Sequence, residues 1–255
     1  MSRTKKFFLS VAVAAVWLAL WQIIHMAVGV DLLLPSPWQV AVEMAHMVVT
    51  GSFWLTILWT VLRVVVGFLV GYLLGTVLAV LSYRFSLVDR FLSPVIYIVK
   101  STPVASFIIL ALCWMGTETV PSFICLLMVL PIVFGNVLTG LKAVDKDLLE
   151  MSRVFGFSFA KRLRCVYLPC VRSYLTSASG TGLGLSWKAG IAAEVICRSR
   201  VSIGNEIFES KYYLEIVRMF AWTAVVVLLS VLFDRLLKLV SARLTGRRTP
   251  GGDSL

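Results

Sequence analysis

Six long apolar stretches, separated by short polar segments, leave this chain few folds. They fall at residues 7–28, 56–82, 92–115, 120–141, 173–197 and 216–240. A helix needs roughly 20 predominantly apolar residues to cross the hydrocarbon core of a bilayer. It also satisfies its own backbone hydrogen bonds, which lipid cannot do. The pattern therefore predicts an all-α integral membrane protein with six transmembrane helices. The 255 residues are 59% hydrophobic and only 15% charged, with a mean hydropathy of +0.92. A soluble domain carries about 25% charged residues.

The first stretch follows Arg3, Lys5 and Lys6, as a secretory signal would. Its apolar run exceeds the roughly 7–15 residues of a signal core, and no small-x-small cleavage site follows, so it reads as a retained helix. The second stretch places Gly67, Gly71 and Gly75 at every fourth residue. That is a bare stripe against which another helix can pack closely.

Loop charge sets the orientation. Residues 29–55 and 116–119 contain no Lys or Arg. The segment 83–91 has Arg84 and Arg90, and the long segment after residue 141 has Lys142, Lys146, Arg153, Lys161, Arg162, Arg164 and Arg172. Arg243, Arg247 and Arg248 lie near the C-terminus. Positive loops stay inside, so the expectation is N-in/C-in with the loop 141–172 in the cytosol. Arg198, Arg200 and Lys211, on the opposite side, go against this bias. The net charge of +11 is read as topology; no soluble basic domain is present to bind nucleic acid. Three parts follow: residues 1–55, a first helix with an extracytoplasmic segment; residues 56–240, the core with its cytosolic loop; and residues 241–255, a polar, Gly-rich tail expected to be disordered.

Among the five cysteines there is no C-x-x-C, and Cys165 and Cys170 fall in the basic loop, where disulfides are rare. His25 and His46 are too isolated to form a metal site.

The cytosolic loop has internal order. Asp145 can cap a helix whose Leu148, Leu149, Met151, Val154 and Phe155 recur at helical spacing. Gly156 suits a left-handed stop. Ser158 can cap a second short helix, which Pro169 is expected to end. On periodicity alone this is an amphipathic connector that could lie on lipid headgroups. Its fixed residues say more. Glu150-Met151-Ser152, three residues, Gly156, nine residues and then Val166-Tyr167-Leu168-Pro169 resemble the "EAA" loop of ABC-type importer permeases, whose reference form is Glu-Ala-Ala, three residues, Gly, nine residues, Ile-x-Leu-Pro.

The resemblance extends from about residue 34 to 240. Leu34-Pro35-Ser36-Pro37 with Val40, Leu62-Arg63 with Gly67-Phe68, Trp114-Met115-Gly116 and Ala192-Ala193-Glu194 are similar to segments of the nitrate/sulfonate/taurine permeases, in the same order. Lys100-Ser101-Thr102-Pro103 departs from that group's Arg-Pro-x-Pro. The resemblance implies a type I importer fold. It implies two permease copies, in that group usually a homodimer, two cytosolic ATPases docked on the loop of Glu150 and Gly156, and an external substrate-binding protein. It implies a small solute such as nitrate, a sulfonate or taurine.

No Walker A motif occurs, so ATP is expected to be bound by the partner, with no cofactor or catalysis in this chain. Gly180-Thr181-Gly182-Leu183-Gly184 lacks the Lys-Ser/Thr that would make it one. A multi-span enzyme would need clustered nucleophiles or acids, and the nearest group, Asp145, Asp147 and Glu150, is interleaved with lysines. A channel would need a filter-like repeat, which is absent.

Three charges fall inside the spans: Arg63, Lys188 and Glu194. Each should face protein or water. Arg63 and Glu194 are read as a structural ion pair. Lys188, with Ser186 and Trp187 beside it adding a hydroxyl and a ring, is a candidate for the translocation pathway; the alternative is a lysine that snorkels or pairs with a structural partner.

Overall fold

The computed structural model describes residues 3–245, and all its regular structure there is helical. The elements are α1 (Arg3–Val28), α2 (Pro37–Val48), α3 (Gly51–Arg84), α4 (Ser86–Ser101), α5 (Val104–Leu112), α6 (Val120–Lys142), α7 (Lys146–Val154) and α8 (Phe159–Arg162). A wide π-turn, Leu163–Tyr167, joins α8 to α9 (Leu168–Cys197); α10 (Ile203–Tyr212) and α11 (Ile216–Thr245) follow. Among the described residues α1, α3, α6 and α11 are each long and apolar enough to cross a membrane, and α4 with α5 makes a fifth segment. At 30 residues α9 is long enough too, but Gly, Ser and Thr make it less apolar.

The core is α6 packed between α3, which runs parallel to it, and α9, which runs antiparallel. A methyl group on Gly67 would sit 2.2 Å from the Ser122 carbonyl oxygen, and one on Gly71 or Gly75 would sit 2.8 Å from the Leu126 or Leu130 oxygen. The glycine stripe is thus where the backbones of α3 and α6 come together, an approach that any side chain would block. Around α6, Val129, Val133, Phe134 and Val137 are buried. Trp187 of α9 packs on Phe233 of α11, with ring centroids 4.9 Å apart. By contrast, the apolar length of α1 is buried nowhere in the chain; it is tied down near its end, where Trp21 Nε1 donates to the Pro35 carbonyl at 3.1 Å. Ser36 and Gln39 form a capping box that starts α2 directly after Pro35.

Four expectations need correction. The stretch 92–115 is two helices, bent by 101° between Ser101 and Val104. Thr102 is extended (φ −80°, ψ 133°) because the ring of Pro103 excludes the helical conformation from the residue before it. Pro169 ends nothing: Leu168 N reaches back five residues to the Leu163 carbonyl. That wide turn absorbs the bond a proline cannot make, and Pro169 sits in the first turn of α9, where a missing N–H costs little. The boundary at residue 55/56 falls inside α3, whose helix starts at Gly51. Residues 241–245 are the last turn of α11; the rest of the expected disordered tail lies outside the described residues.

Candidate functional site

The loop after α6 is built by caps. The Asp145 carboxylate accepts from Asp147 N at 2.9 Å and starts α7. At the other end Phe157 N donates to the Ser152 carbonyl at 2.9 Å and Gly156 N to that of Arg153 at 3.0 Å. This is the double closure of a Schellman stop, with Gly156 at φ +62°. Nothing lies within 4 Å of where a Gly156 side chain would begin, so conformation alone calls for glycine there. Ser152 is buried and bonds the Leu149 carbonyl at 2.7 Å. Ser158 Oγ accepts from Lys161 N and starts α8. Val166 is buried, which anchors the second limb.

Anchored this way, the loop turns its other residues outward. Glu150 and Met151 are exposed, and so are Val154, Phe155 and Phe159, at 71–85%. Leu168 is half-exposed and, with Pro169, Arg164 and Arg172, lines a shallow cleft of about 490 Å³. A short helix that exposes this much apolar surface next to lysines and arginines is shaped for a partner. The pattern Glu150–Pro169 thus divides into a buried half that holds the loop (Ser152, Val166) and an exposed half.

A second constellation lies at the far end of the bundle. Arg63 of α3 and Glu194 of α9 meet there: Nη1 donates to Oε1 at 3.2 Å and to the Val201 carbonyl at 2.8 Å. Glu194 is fully buried, and its other oxygen accepts from Thr60 Oγ1 at 2.9 Å and from Gly204 N at 3.3 Å. Nη2 of Arg63 bonds Glu118, whose other oxygen accepts from Arg200 N at 2.8 Å. Thr60 Oγ1 in turn accepts from Ile203 N at 3.0 Å. One buried carboxylate therefore joins α3, the α5–α6 loop, α9 and the start of α10. Satisfied on both oxygens, it is the kind of buried ion pair a fold tolerates. Glu118 was missed by the sequence reading; its one signal was being an acid in the four-residue loop 116–119.

Lys188 is exposed and has no hydrogen-bond or ion-pair partner among the described residues. Ser186 and Trp187 do not share its face. Ser186 Oγ donates to the Leu183 carbonyl at 2.9 Å within α9, and Trp187, 2% exposed, donates from Nε1 to the Val226 carbonyl of α11 at 3.3 Å. Successive helix residues are about 100° apart, so both point into the core while Lys188 points out. No group of His, Cys, Asp and Glu that could hold a metal occurs among the described residues.

A helical membrane bundle that presents a capped amphipathic loop at one end and a charge-locked cluster at the other has the form of a transporter's membrane subunit. Residues 67–246 match the family described as binding-protein-dependent transport system inner membrane components, and the chain belongs to it. It is a permease subunit of an ABC importer, a multi-pass protein of the inner membrane. It is 24% identical to the taurine transport system permease protein TauC of Escherichia coli K12, over 95% of this chain and 90% of that one. It is 30% identical to that organism's putative aliphatic sulfonates transport permease protein SsuC, over 62% of this chain and 59% of the relative. The fold matches the MetNI methionine ABC transporter in an inward-facing conformation, with a TM-score of 0.57 at 19% identity, covering 79% of this chain and 95% of that one.

Proposed function

We propose that this permease pairs with a second copy of itself to form the pathway of an ATP-driven importer for a small anionic or polar organic solute of the taurine, sulfonate or nitrate kind. Each copy crosses the bilayer six times, with α9 as the least apolar of the long spans, and both termini and the α7 loop are cytosolic. Two ATPase subunits bind and hydrolyse the nucleotide, and this chain carries no cofactor. An external binding protein delivers the solute. Residues 1–55 supply the outer helix and its extracytoplasmic segment, and the core from residue 56 carries the pathway, with Lys188 on it.

The observation that carries this reading is the exposed apolar face of α7, with Met151, Val154 and Phe155 on a loop that a Gly156 stop holds in shape. Glu150 and Gly156 set how that face meets the ATPase. Gly156→Val forces a β-branched residue into positive φ, a strain of about 1–2 kcal/mol. The variant is expected to insert normally and to lose ATPase binding and taurine-stimulated ATP hydrolysis. An ATPase that stays bound and stimulated as in the parent complex would refute the assignment.

A further inference from the structure

We propose that Lys100 and Lys188 are two cationic stations on the permease pathway, set at different depths of the bundle, that draw an anion across. This rests on the permease reading and goes beyond it by fixing the sign of the charge and adding a second residue.

The exposed face of α9 is paved unlike a lipid face. Ser177, Thr181, Leu185, Lys188 and Ala192 recur along it, all exposed. The exposed face of α3 instead carries Leu58, Leu62, Leu69, Leu73 and Val77. An ammonium flanked by hydroxyls is what a wet, protein-lined surface accepts and hydrocarbon does not. Lys188 stands nine residues before the end of α9. At 1.5 Å per residue that is about 14 Å, further than a four-carbon stem can snorkel.

Lys100 is in the last turn of α4, where the broken span turns. Its Nζ lies 3.5 Å from the position a side chain would take at Gly135 of α6, so the ammonium rests over a bare patch of that helix. Like Lys188, it is exposed and has no hydrogen-bond or ion-pair partner among the described residues. The α6 helix serves as a depth gauge. Cys125 Sγ bonds the Ser186 carbonyl, and Gly190 also faces Cys125, so Lys188 lies at the level of Cys125. Lys100 lies at Gly135. The ten residues between those levels make the stations about 15 Å apart in depth. Both fall within α6, which spans Val120–Lys142. The acid and base at the far end, Glu194 and Arg63, neutralise each other. On α11, Phe233 packs on Trp187 and Leu237 faces Gly180, so Asp234, Arg235 and Lys238 stand between the two levels, and this one acid with two bases leaves the charge there positive. Two bare cations therefore stand where an anion is the missing partner.

The test needs no knowledge of the solute. Thr181 lies between the two levels, since neighbouring Gly182 faces Val129. Thr181→Cys is introduced in the full-length chain in membrane vesicles and treated with sulfonatoethyl methanethiosulfonate (anionic) or trimethylammonioethyl methanethiosulfonate (cationic). Modification is followed by mass spectrometry of that peptide and normalised to each reagent's rate with free cysteine. The anionic reagent is expected to react about tenfold faster, as a cation-lined cleft concentrates anions. Lys188→Met or Lys100→Met should each cut that ratio several-fold, and Lys→Arg should keep it. Equal rates, a cationic preference, or a ratio unmoved by both Lys→Met variants overturns the proposal, as does a thiol that reacts only after denaturation. Should a Lys→Met variant not assemble, the ratio in the parent and Lys→Arg forms decides. The permease reading fails separately, if no ATPase copurifies with the chain, whatever the ratio.

Discussion

Two sets of charge sit in the membrane part of this protein and are handled in opposite ways. At the far end of the bundle every polar atom of a buried carboxylate is bonded: Glu194 holds Arg63, Thr60 and Gly204 N, and Arg63 passes the link on to Glu118. Along α9 and at the α4 bend, Lys188 and Lys100 stand exposed with no partner among the described residues. The difference separates charge that builds the structure from charge left for something outside it. A buried ion must bring its partners with it, since an unmatched one costs several kcal/mol. An exposed lysine on a wet face can be removed with almost no structural cost.

This contrast can be broken most severely at Glu194. Glu194→Ala leaves Arg63, Thr60 and Gly204 N without their acceptor and is expected to cost about 3–5 kcal/mol, seen as a large drop in melting temperature and in yield of folded protein in detergent. Stability equal to the parent would mean the cluster is not structural. The next effect is steric. A methyl group on Gly204 would stand 2.4 Å from Glu194 Cβ and 2.5 Å from Val195 N. Gly204→Ala should cost about 1–3 kcal/mol in the same melting assay by pushing α10 off α9.

Glu118 sharpens the boundary between the two classes. Its side chain is 46% exposed although it bonds Arg63. Glu118→Gln should lose no more than about 1 kcal/mol, because an exposed pair is screened and partly replaced by water. A loss as large as that of Glu194→Ala would place it inside the buried cluster. Last, Lys188→Met should change stability by less than about 0.5 kcal/mol, as expected of an exposed side chain without partners. A destabilisation above 2 kcal/mol would give Lys188 a structural partner and end the contrast.

Much of this arrangement was legible in the residues. The apolar stretches marked the helices, and the stripe Gly67, Gly71 and Gly75 marked where two of them meet. Asp145, Gly156 and Ser158 marked the caps of the loop. These signals are local: a cap, a turn or a bare stripe acts within a few residues of itself. Pro169 and Pro103 show where local reading stops. Both prolines lie at the edge of an apolar stretch, yet one bends a span by 101° and the other rides over a wide turn without breaking it. What separates them is whether the preceding backbone can redistribute its hydrogen bonds. The neighbours Trp187 and Lys188 mark another limit, because one residue's rotation on a helix decides between core and cleft.

The amino-acid sequence by itself determined that the chain is a helical membrane protein, that its basic loop is a capped helix–turn–helix, and that charges in its spans require protein or water around them. Apolar length, capping chemistry and the cost of charge in lipid are properties of short segments. Only the tertiary structure decided that Glu118 joins Arg63 and Glu194, that Ser186 and Trp187 turn inward, and that Lys100 stands over Gly135. Those outcomes depend on which helix faces meet, and packing between residues tens of positions apart in the chain settles that.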